Sequence, residues 1–245
     1  MKLPILLYHD IKEDNFNIEA VDPGLRPYIL RESDFRKQVE WLRNNAKVAI
    51  VFDDGWKSNY EIARPILKQY GLTAIFFVTI ENIGKPEMMT WSQLREMADN
   101  DMIIGSHSMT HRPPIEFSDT ELKYELSESK RILEENLGKK IDSFSAPTGF
   151  YDKRIIDIAR EVGYKEVYFS RIAFSEVDSL ANPLVLYKIG IKRDCDFKIF
   201  KAIVRGDKLV LAKLRSGQLV RDWAKSVFGV QRYEGLKRLA LRHEG

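Results

Sequence analysis

Short apolar runs alternate with amphipathic stretches along this chain. Residues 3–8, 48–52, 74–79, 102–105, 141–146, 166–170 and 184–191 are apolar runs of strand length. The run 48–52 is continuous and rich in β-branched residues, which suits a strand covered on both faces. Between them lie stretches with helical spacing. Ser33 is expected to cap a helix with Phe35, Val39 and Leu42 on one face. Residues 58–70 read as a helix restrained by Pro65 and closed by Gly71. Thr90-Trp-Ser-Gln93 and Ser118-Asp-Thr-Glu121 have capping-box spacing. The second opens a long helix with Leu122, Leu126, Leu133 and Leu137 inward, ended by Gly138. Ile155, Ile158, Ala159 and Val162 mark another helix, ended by Gly163, while residues 11–31 read as a loop. Strands alternating with helices imply parallel βαβ units, and seven of them predict a barrel or barrel-like sheet.

Composition changes this picture little. At 245 residues, with 44% apolar and 31% charged positions, the chain can bury a sizeable core without disulfides. Its single cysteine, Cys195, excludes an internal disulfide and a cysteine-based zinc site, and a nucleophilic role for it is not expected. The apolar run near Met1 is short for a signal peptide, and no stretch reaches membrane-spanning length, so a cytoplasmic location is expected. Charge is distributed unevenly. Residues 198–245 carry twelve Lys/Arg and four Asp/Glu, a net +8, against −5 for residues 1–197. The division predicts a barrel over 1–197 and a basic helical extension over 198–245.

Polar residues that break the core pattern share one location. His9 follows the first run, Asp53 and Asp54 the second, His107 the fourth, and Pro147-Thr-Gly149 the fifth. In a parallel barrel these strand tips converge on one face. His107 and His111 are spaced i, i+4, which on a helical turn points both imidazoles the same way. Two imidazoles and a carboxylate, with positions left for water, make the ligand set of catalytic zinc and similar ions. A second adjacent carboxylate is then free to accept a proton.

At this point the residues resemble a known family, the polysaccharide deacetylases with the NodB-homology fold, carbohydrate esterase family 4. Phe52-Asp-Asp-Gly55 is similar to its first motif and His107-Ser-x-x-His111 to its second. Leu6-Leu-Tyr-His-Asp-Ile11 resembles the Tyr-His-x-Ile start of one subgroup, and Phe144-Ser-Ala-Pro-Thr-Gly149 that subgroup's third motif. The resemblance spans roughly residues 3–192. It implies a distorted seven-stranded (β/α) barrel and one divalent metal, zinc first, with cobalt or nickel as alternatives. It implies Asp53 as catalytic base and Asp54, His107 and His111 as metal ligands. The backbone N–H of Thr148 would hold the oxyanion, with Pro147 beside it touching the substrate. The implied reaction is attack of metal-bound water on the acetamido group of a sugar.

Two departures stand out. Ser145 occupies the place of an Arg that orients the catalytic Asp, and residues 184–191 lack the histidine expected to protonate the leaving amine. Only four histidines exist: His107 and His111 are taken, His243 lies in the tail, and His9 is the one at a strand tip without a role. It reads equally as that acid or as a structural imidazole lining the pocket; return of the proton by Asp53 itself is the other route. Trp56 and Tyr151 are candidates to line a sugar groove, with Phe150 beside them; Trp91, inside a capping box, is expected to pack in the core.

The expected activity is therefore removal of an acyl group, N-acetyl first, from a sugar or lipid-linked saccharide. Two alternatives stand: a carbohydrate-binding protein with weak catalysis on the same fold, and a hydrolase of a non-sugar C–N bond. The extension, broken near Gly206, Gly217 and Gly229, reads either as helices packed on the barrel or as a peripheral membrane contact. With the charge confined to the tail and no nucleic-acid motif, nucleic acid is not an expected partner.

Overall fold

A computed structural model describes residues 1–100, 102–149, 151–177, 184–228 and 235. Seven strands, β1 (Ile5–Tyr8), β2 (Ala49–Phe52), β3 (Ile75–Val78), β4 (Ile103–Ser106), β5 (Ser143–Ser145), β6 (Glu166–Ser170) and β7 (Leu184–Gly190), close a barrel. They are arranged in chain order, all neighbours parallel, and β7 closes against β1 through the register Lys188↔Ile5. Each apolar run predicted as a strand lies on one of these seven.

Side chains alternate across a strand. One set, Ile5, Leu7, Val51, Phe77, Tyr168 and Leu186, fills the barrel interior. Continuing the same alternation toward the strand tips places His9, Asp53, Ser145 and Lys188 above that layer. Gly105 is required here, because an added Cβ would lie 2.5 Å from the Phe77 ring. The opposite faces, including Leu6, Tyr8, Phe52, Phe76 and Phe144, join the outer core under the helices.

The outer layer comprises α1 (Glu32–Asn45), α2 (Arg64–Gln69), α3 (Trp91–Asp99), α4 (Asp119–Leu137), α5 (Lys153–Val162), α6 (Phe197–Arg205) and α7 (Lys208–Phe228). Both capping boxes form, at Thr90 and at Ser118. Pro65 lies at the start of α2, behind a π-helical turn over Asn59–Ala63. Trp91 is partly buried against the core.

Three local expectations are corrected. Ser33 does not cap α1: the helix starts at Glu32 after extended Arg31, and the Ser33 hydroxyl donates to Asp14 at 2.7 Å. Residues 11–31 are not all loop, since Asp10–Lys12 pairs in parallel with Ile29–Arg31. Gly217 does not interrupt α7; the break comes at Gly206, which closes α6 at φ 74°. In the extension, Phe200, Ile203 and Val204 are buried, and Phe200 meets Trp41 of α1 edge-on. Among the described residues no helix is long and apolar enough to cross a membrane. Phe150, His243 and the break expected at Gly229 lie outside the described residues.

Candidate metal centre and catalytic site

The strand tips converge as the barrel requires. Asp54 Oδ1 lies 3.1 Å from His111 Nε2 and 3.5 Å from His107 Nε2. One ligand atom from each of these three residues falls within 4.8 Å of the others. His107 Nδ1 donates to the Ser145 carbonyl at 2.7 Å. A carbonyl only accepts, so the proton sits on Nδ1 and the Nε2 lone pair faces the cluster. Trp56 Nε1 donates to Asp54 Oδ2 at 3.2 Å, leaving Oδ1 toward the histidines.

The histidines meet by a different route from the one their spacing suggests. Residues 107–111 are not helical. Ser108 (φ 67°) and His111 (φ 64°) are left-handed, and this folds the loop so that the rings stand 5.0 Å apart. Among the described residues five non-glycine positions have positive φ, and Asp54, Ser108, His111 and Thr148 are four of them. Such conformations cost free energy and persist where the surroundings over-determine them, which is typical of working sites.

Asp53 is 4% exposed and lies beside this cluster, Oδ2 3.8 Å from His107 Nε2. Its other contacts lie on the floor of the site. Ser145 Oγ donates to Asp53 Oδ1 at 3.1 Å. Lys188 Nζ donates to Asp53 Oδ2 and contacts Ser145 Oγ, from a side chain with no solvent exposure. Burial alone would push the Asp53 carboxyl up; Lys188, then His107 and His9, outweigh it and hold it below the usual range. Burial likewise opposes ionisation of Asp54, but the adjacent His107 and His111 imidazoles bring it well below the carboxylate range. Burial lowers Lys188, against the pull of Asp53. Burial also lowers His111, yet Asp54 raises it more, so its net shift is upward.

Lys188 was not anticipated as a functional residue. Its signal was present: in β7, Leu184, Leu186 and Lys188 are spaced by two, so a lysine falls on the inner, apolar face of the barrel.

His9 is lowered chiefly by burial, and its Nδ1 has no hydrogen-bond partner. Its ring packs against Tyr28 at 4.9 Å, and its carbonyl accepts from Asn59 at 2.7 Å. A cavity of about 1150 Å³ contains Asp53, Asp54, His107, His111 and His9, with Thr148, Trp56, Tyr151, Tyr28 and Lys188 on its walls. Pro147, expected to touch substrate, is buried and does not line the cavity; it starts the turn that lifts Thr148 to φ 62°. Cys195 reaches the cavity wall, but burial pushes its thiol up to about 12, which suits no nucleophile.

With this geometry in place, comparison with known proteins is informative. The family model for polysaccharide deacetylase matches residues 43–167, about half of the chain. YxkH of Bacillus subtilis, a protein named after the same family, is 28% identical over 186 residues, covering 67% of this chain and 63% of its own. The peptidoglycan-N-acetylglucosamine deacetylase of Bacillus cereus is 29% identical over 135 residues, covering 54% of this chain and 61% of its own. The chain thus spans somewhat less than two thirds of the length of these relatives. The poly-β-1,6-N-acetyl-D-glucosamine N-deacetylase of Staphylococcus aureus is 22% identical over 200 residues. That alignment covers 65% of this chain and 69% of the relative. The fold is shared with a Streptococcus pyogenes deacetylase solved with acetate, at a TM-score of 0.74 and 22% identity, covering 83% of this chain and 98% of the other. IcaB from Ammonifex degensii superposes at a TM-score of 0.69 and 21% identity, covering 82% of this chain and 97% of the other. The matched segment carries Asp53, Asp54, His107, His111, Ser145 and Thr148 at or just beyond the tips of strands that close this barrel, and the chain belongs to the polysaccharide deacetylase family.

Proposed function

We propose that this protein is a metal-dependent hydrolase that removes an acyl group, N-acetyl first, from a sugar. One observation carries the reading: a buried carboxylate, Asp53, stands beside a three-residue metal donor set without belonging to it, and a lysine holds it ionised. The donor set fits a divalent ion. Asp54 is strongly favoured as a carboxylate, and the hydrogen bond from His107 Nδ1 to Ser145 leaves Nε2 free to bind. Zinc is the ion proposed. When bound, it supplies a Lewis acid that polarises the acyl carbonyl and activates water.

The chain's own residues do the rest. Asp53 accepts the proton of the attacking water. Ser145 and Lys188 fix both its oxygens, the task expected of the missing arginine. The Thr148 N–H lies on an exposed turn where it can donate to the developing oxyanion. His9 is assigned delivery of a proton to the leaving nitrogen. It lines the same cavity, is electrostatically coupled to Asp53 and Asp54, and has an unpartnered ring nitrogen. Being neutral at rest, it must gain a proton within the cycle, and Asp53 is the group that takes one up.

The relatives named for deacetylation of N-acetylglucosamine polymers support an N-acetyl substrate. The cavity extends past the cluster to Ile199 and Ile203 of α6 and Leu214 of α7, giving the acylated sugar room for an attached apolar group, as in a lipid-linked saccharide. On its other face α7 exposes Leu209, Leu219 and Val220, with Lys208 and Arg215 alongside, which favours contact with an anionic membrane surface. Binding to anionic but not neutral vesicles, lost in a Leu219→Asp/Val220→Asp variant, tests that extension.

The central experiment measures bound metal per chain and acetate release from N-acetylated sugars, in the native protein, His107→Ala and Asp53→Asn. About one ion per chain, lost in His107→Ala and kept in Asp53→Asn, with acetate release lost in both, is the expected result. Metal retention without turnover on any acetylated saccharide would instead favour the binding-protein reading.

A further inference from the structure

The loop that carries the two histidines has no regular structure of its own to hold it. Between His107 and His111 the backbone turns left-handed at both Ser108 and His111. Four consecutive N–H groups in this stretch are each taken by a side chain. Ser108 N donates to Ser106 Oγ at 3.3 Å and His111 N to Ser108 Oγ at 3.2 Å. The two between them converge on one carboxylate: Met109 N at 3.0 Å and Thr110 N at 3.1 Å both donate to Glu125 Oε2. The other oxygen, Glu125 Oε1, accepts from the Thr110 hydroxyl at 2.9 Å.

Glu125 lies on the inner stripe of α4, with Leu122, Leu126, Ser129 and Leu133, and is 5% exposed. A carboxylate at such a position is costly to bury unless its oxygens are fully hydrogen-bonded. Among the described residues it makes no ion pair, so these three donors satisfy its charge. One turn further along α4, Ser129 Oγ accepts from Ser106 Oγ at 2.8 Å, at the tip of the strand that feeds the loop. The helix therefore grips the histidine segment at two points. On the far side, the Ser108 and Met109 carbonyls accept from Ile80 N at 3.2 Å and Glu81 N at 3.0 Å. Consecutive N–H groups aimed at one acceptor fix the peptide planes between them, and here those planes set the direction of His111.

We propose that Glu125 is a positioning residue of the metal centre: its carboxylate locks Met109 and Thr110 so that His111 Nε2 is held against Asp54 before any ion arrives. The proposal rests on the metal-hydrolase reading above. Without the carboxylate, the two N–H groups need other partners and the left-handed turn at His111 loses its support. Binding must then pay to order the ligand. Partners of this kind behind a metal ligand are typically worth about 10–100-fold in affinity.

The test is the zinc dissociation constant of the full chain, measured by competition with a chromophoric chelator, beside the melting temperature of the metal-free protein. Glu125→Ala is expected to bind zinc about 10–100-fold more weakly. Glu125→Gln is expected to stay within about threefold, because its amide oxygen accepts both N–H groups and its NH₂ donates to the Thr110 hydroxyl. Leu133→Ala, buried on the same stripe, should lower the melting temperature and leave zinc affinity unchanged. Should Glu125→Ala not fold, Glu125→Asp keeps the charge, retracts the carboxylate and is expected to weaken zinc in the same direction. Native affinity in the Ala or Asp variant overturns the proposal. So does equal weakening in Leu133→Ala, which would reduce Glu125 to general stability. Absence of zinc affinity in the native protein would instead overturn the metal reading itself.

Discussion

Lys188 and Asp53 are 135 residues apart in sequence and form a buried ion pair on the floor of the candidate site. The pair joins the last barrel strand to the tip of the second, and Ser145 of the fifth bridges them. Replacing Lys188 by Met keeps its length and removes the cation. The Asp53 carboxylate is then buried without a counter-charge, which costs about 3–5 kcal/mol in comparable pairs. The Lys188→Met protein is expected to melt at a lower temperature and to lose about 10²–10⁴-fold in kcat/KM, the range associated with acid–base groups. Normal activity in a folded Lys188→Met protein would show that Asp53 needs no such partner.

The same pair sets the acid limb of the pH profile. In the native protein Asp53 is held below its ordinary value, so the ionised base persists as pH falls below the usual carboxylate range. Removing Lys188 deletes the largest favourable influence and leaves burial, which acts upward. The acid limb of kcat/KM in Lys188→Met should therefore move to higher pH, while Lys188→Arg should retain a low one. Stability follows the same sign: a depressed carboxylate stabilises above its unfolded value, and that contribution is lost as pH falls through the folded value. Measuring kcat/KM against pH for the three proteins decides this, and an unmoved limb in Lys188→Met would contradict it.

How the sequence announced this site is instructive. The barrel was legible because its signals are local: apolar runs of strand length, two capping boxes and glycines that end helices. Asp53, Asp54, His107 and His111 were legible because polar residues at the ends of apolar strands have no place in the core. Lys188 carries a weaker signal, a spacing by two within an apolar strand with nothing local to say what the inner face meets. Its position is set by barrel closure, β7 against β1, which is a non-local event. The route by which His107 and His111 meet differs from the one their spacing suggests for a related reason. Their spacing fits a helical turn, but Glu125 and the serines favour a left-handed loop that ends in a similar convergence by different dihedral angles.

Metal binding should be coupled to protons at His111. In the metal-free chain, burial lowers this imidazole but Asp54 outweighs it, and the folded value is raised. A raised histidine stabilises the fold fully below its unfolded value, and that contribution disappears as pH rises through the folded value. Zinc must displace that proton. Apparent zinc affinity is therefore expected to rise with pH until His111 is deprotonated and then level off. Calorimetry in buffers of different ionisation enthalpy reads the protons released, and zero release below pH 7 would rule out the Asp54–His111 assignment.

His9 separates two roles that its position leaves in competition. As the donor to the leaving nitrogen, its removal in His9→Gln should cost about 10²–10⁴-fold in kcat on an acetamido sugar. The loss should shrink on an aryl ester, whose leaving group departs without a proton. As a structural imidazole against Tyr28, its removal should lower stability and reduce both substrates equally. Comparing the two kcat losses in His9→Gln decides between them; equal losses would remove His9 from the chemistry.

The turn bearing Thr148 depends on a glycine beside it. Gly149 has φ 74°, a conformation in which an L-residue is strained, and an added Cβ would lie 2.2 Å from Ser170 Cβ and 3.0 Å from Ser170 N. Ser170 ends β6, so it has little freedom to retreat, and its carbonyl is also held by Gln218 Nε2 of α7 at 2.8 Å. In Gly149→Ala the turn must therefore move, and Thr148, the proposed oxyanion donor, moves with it. Loss of one such donor typically costs about 10²–10³-fold in kcat. Neither Gly149 nor Thr148 belongs to the metal cluster, so zinc content should stay at the native level. The expected signature is full metal loading with kcat reduced by that factor and a smaller change in KM. A Gly149→Ala protein with native kcat would mean that Thr148 does not supply the oxyanion donor, and that the left-handed turn serves only to bring β5 around to α5.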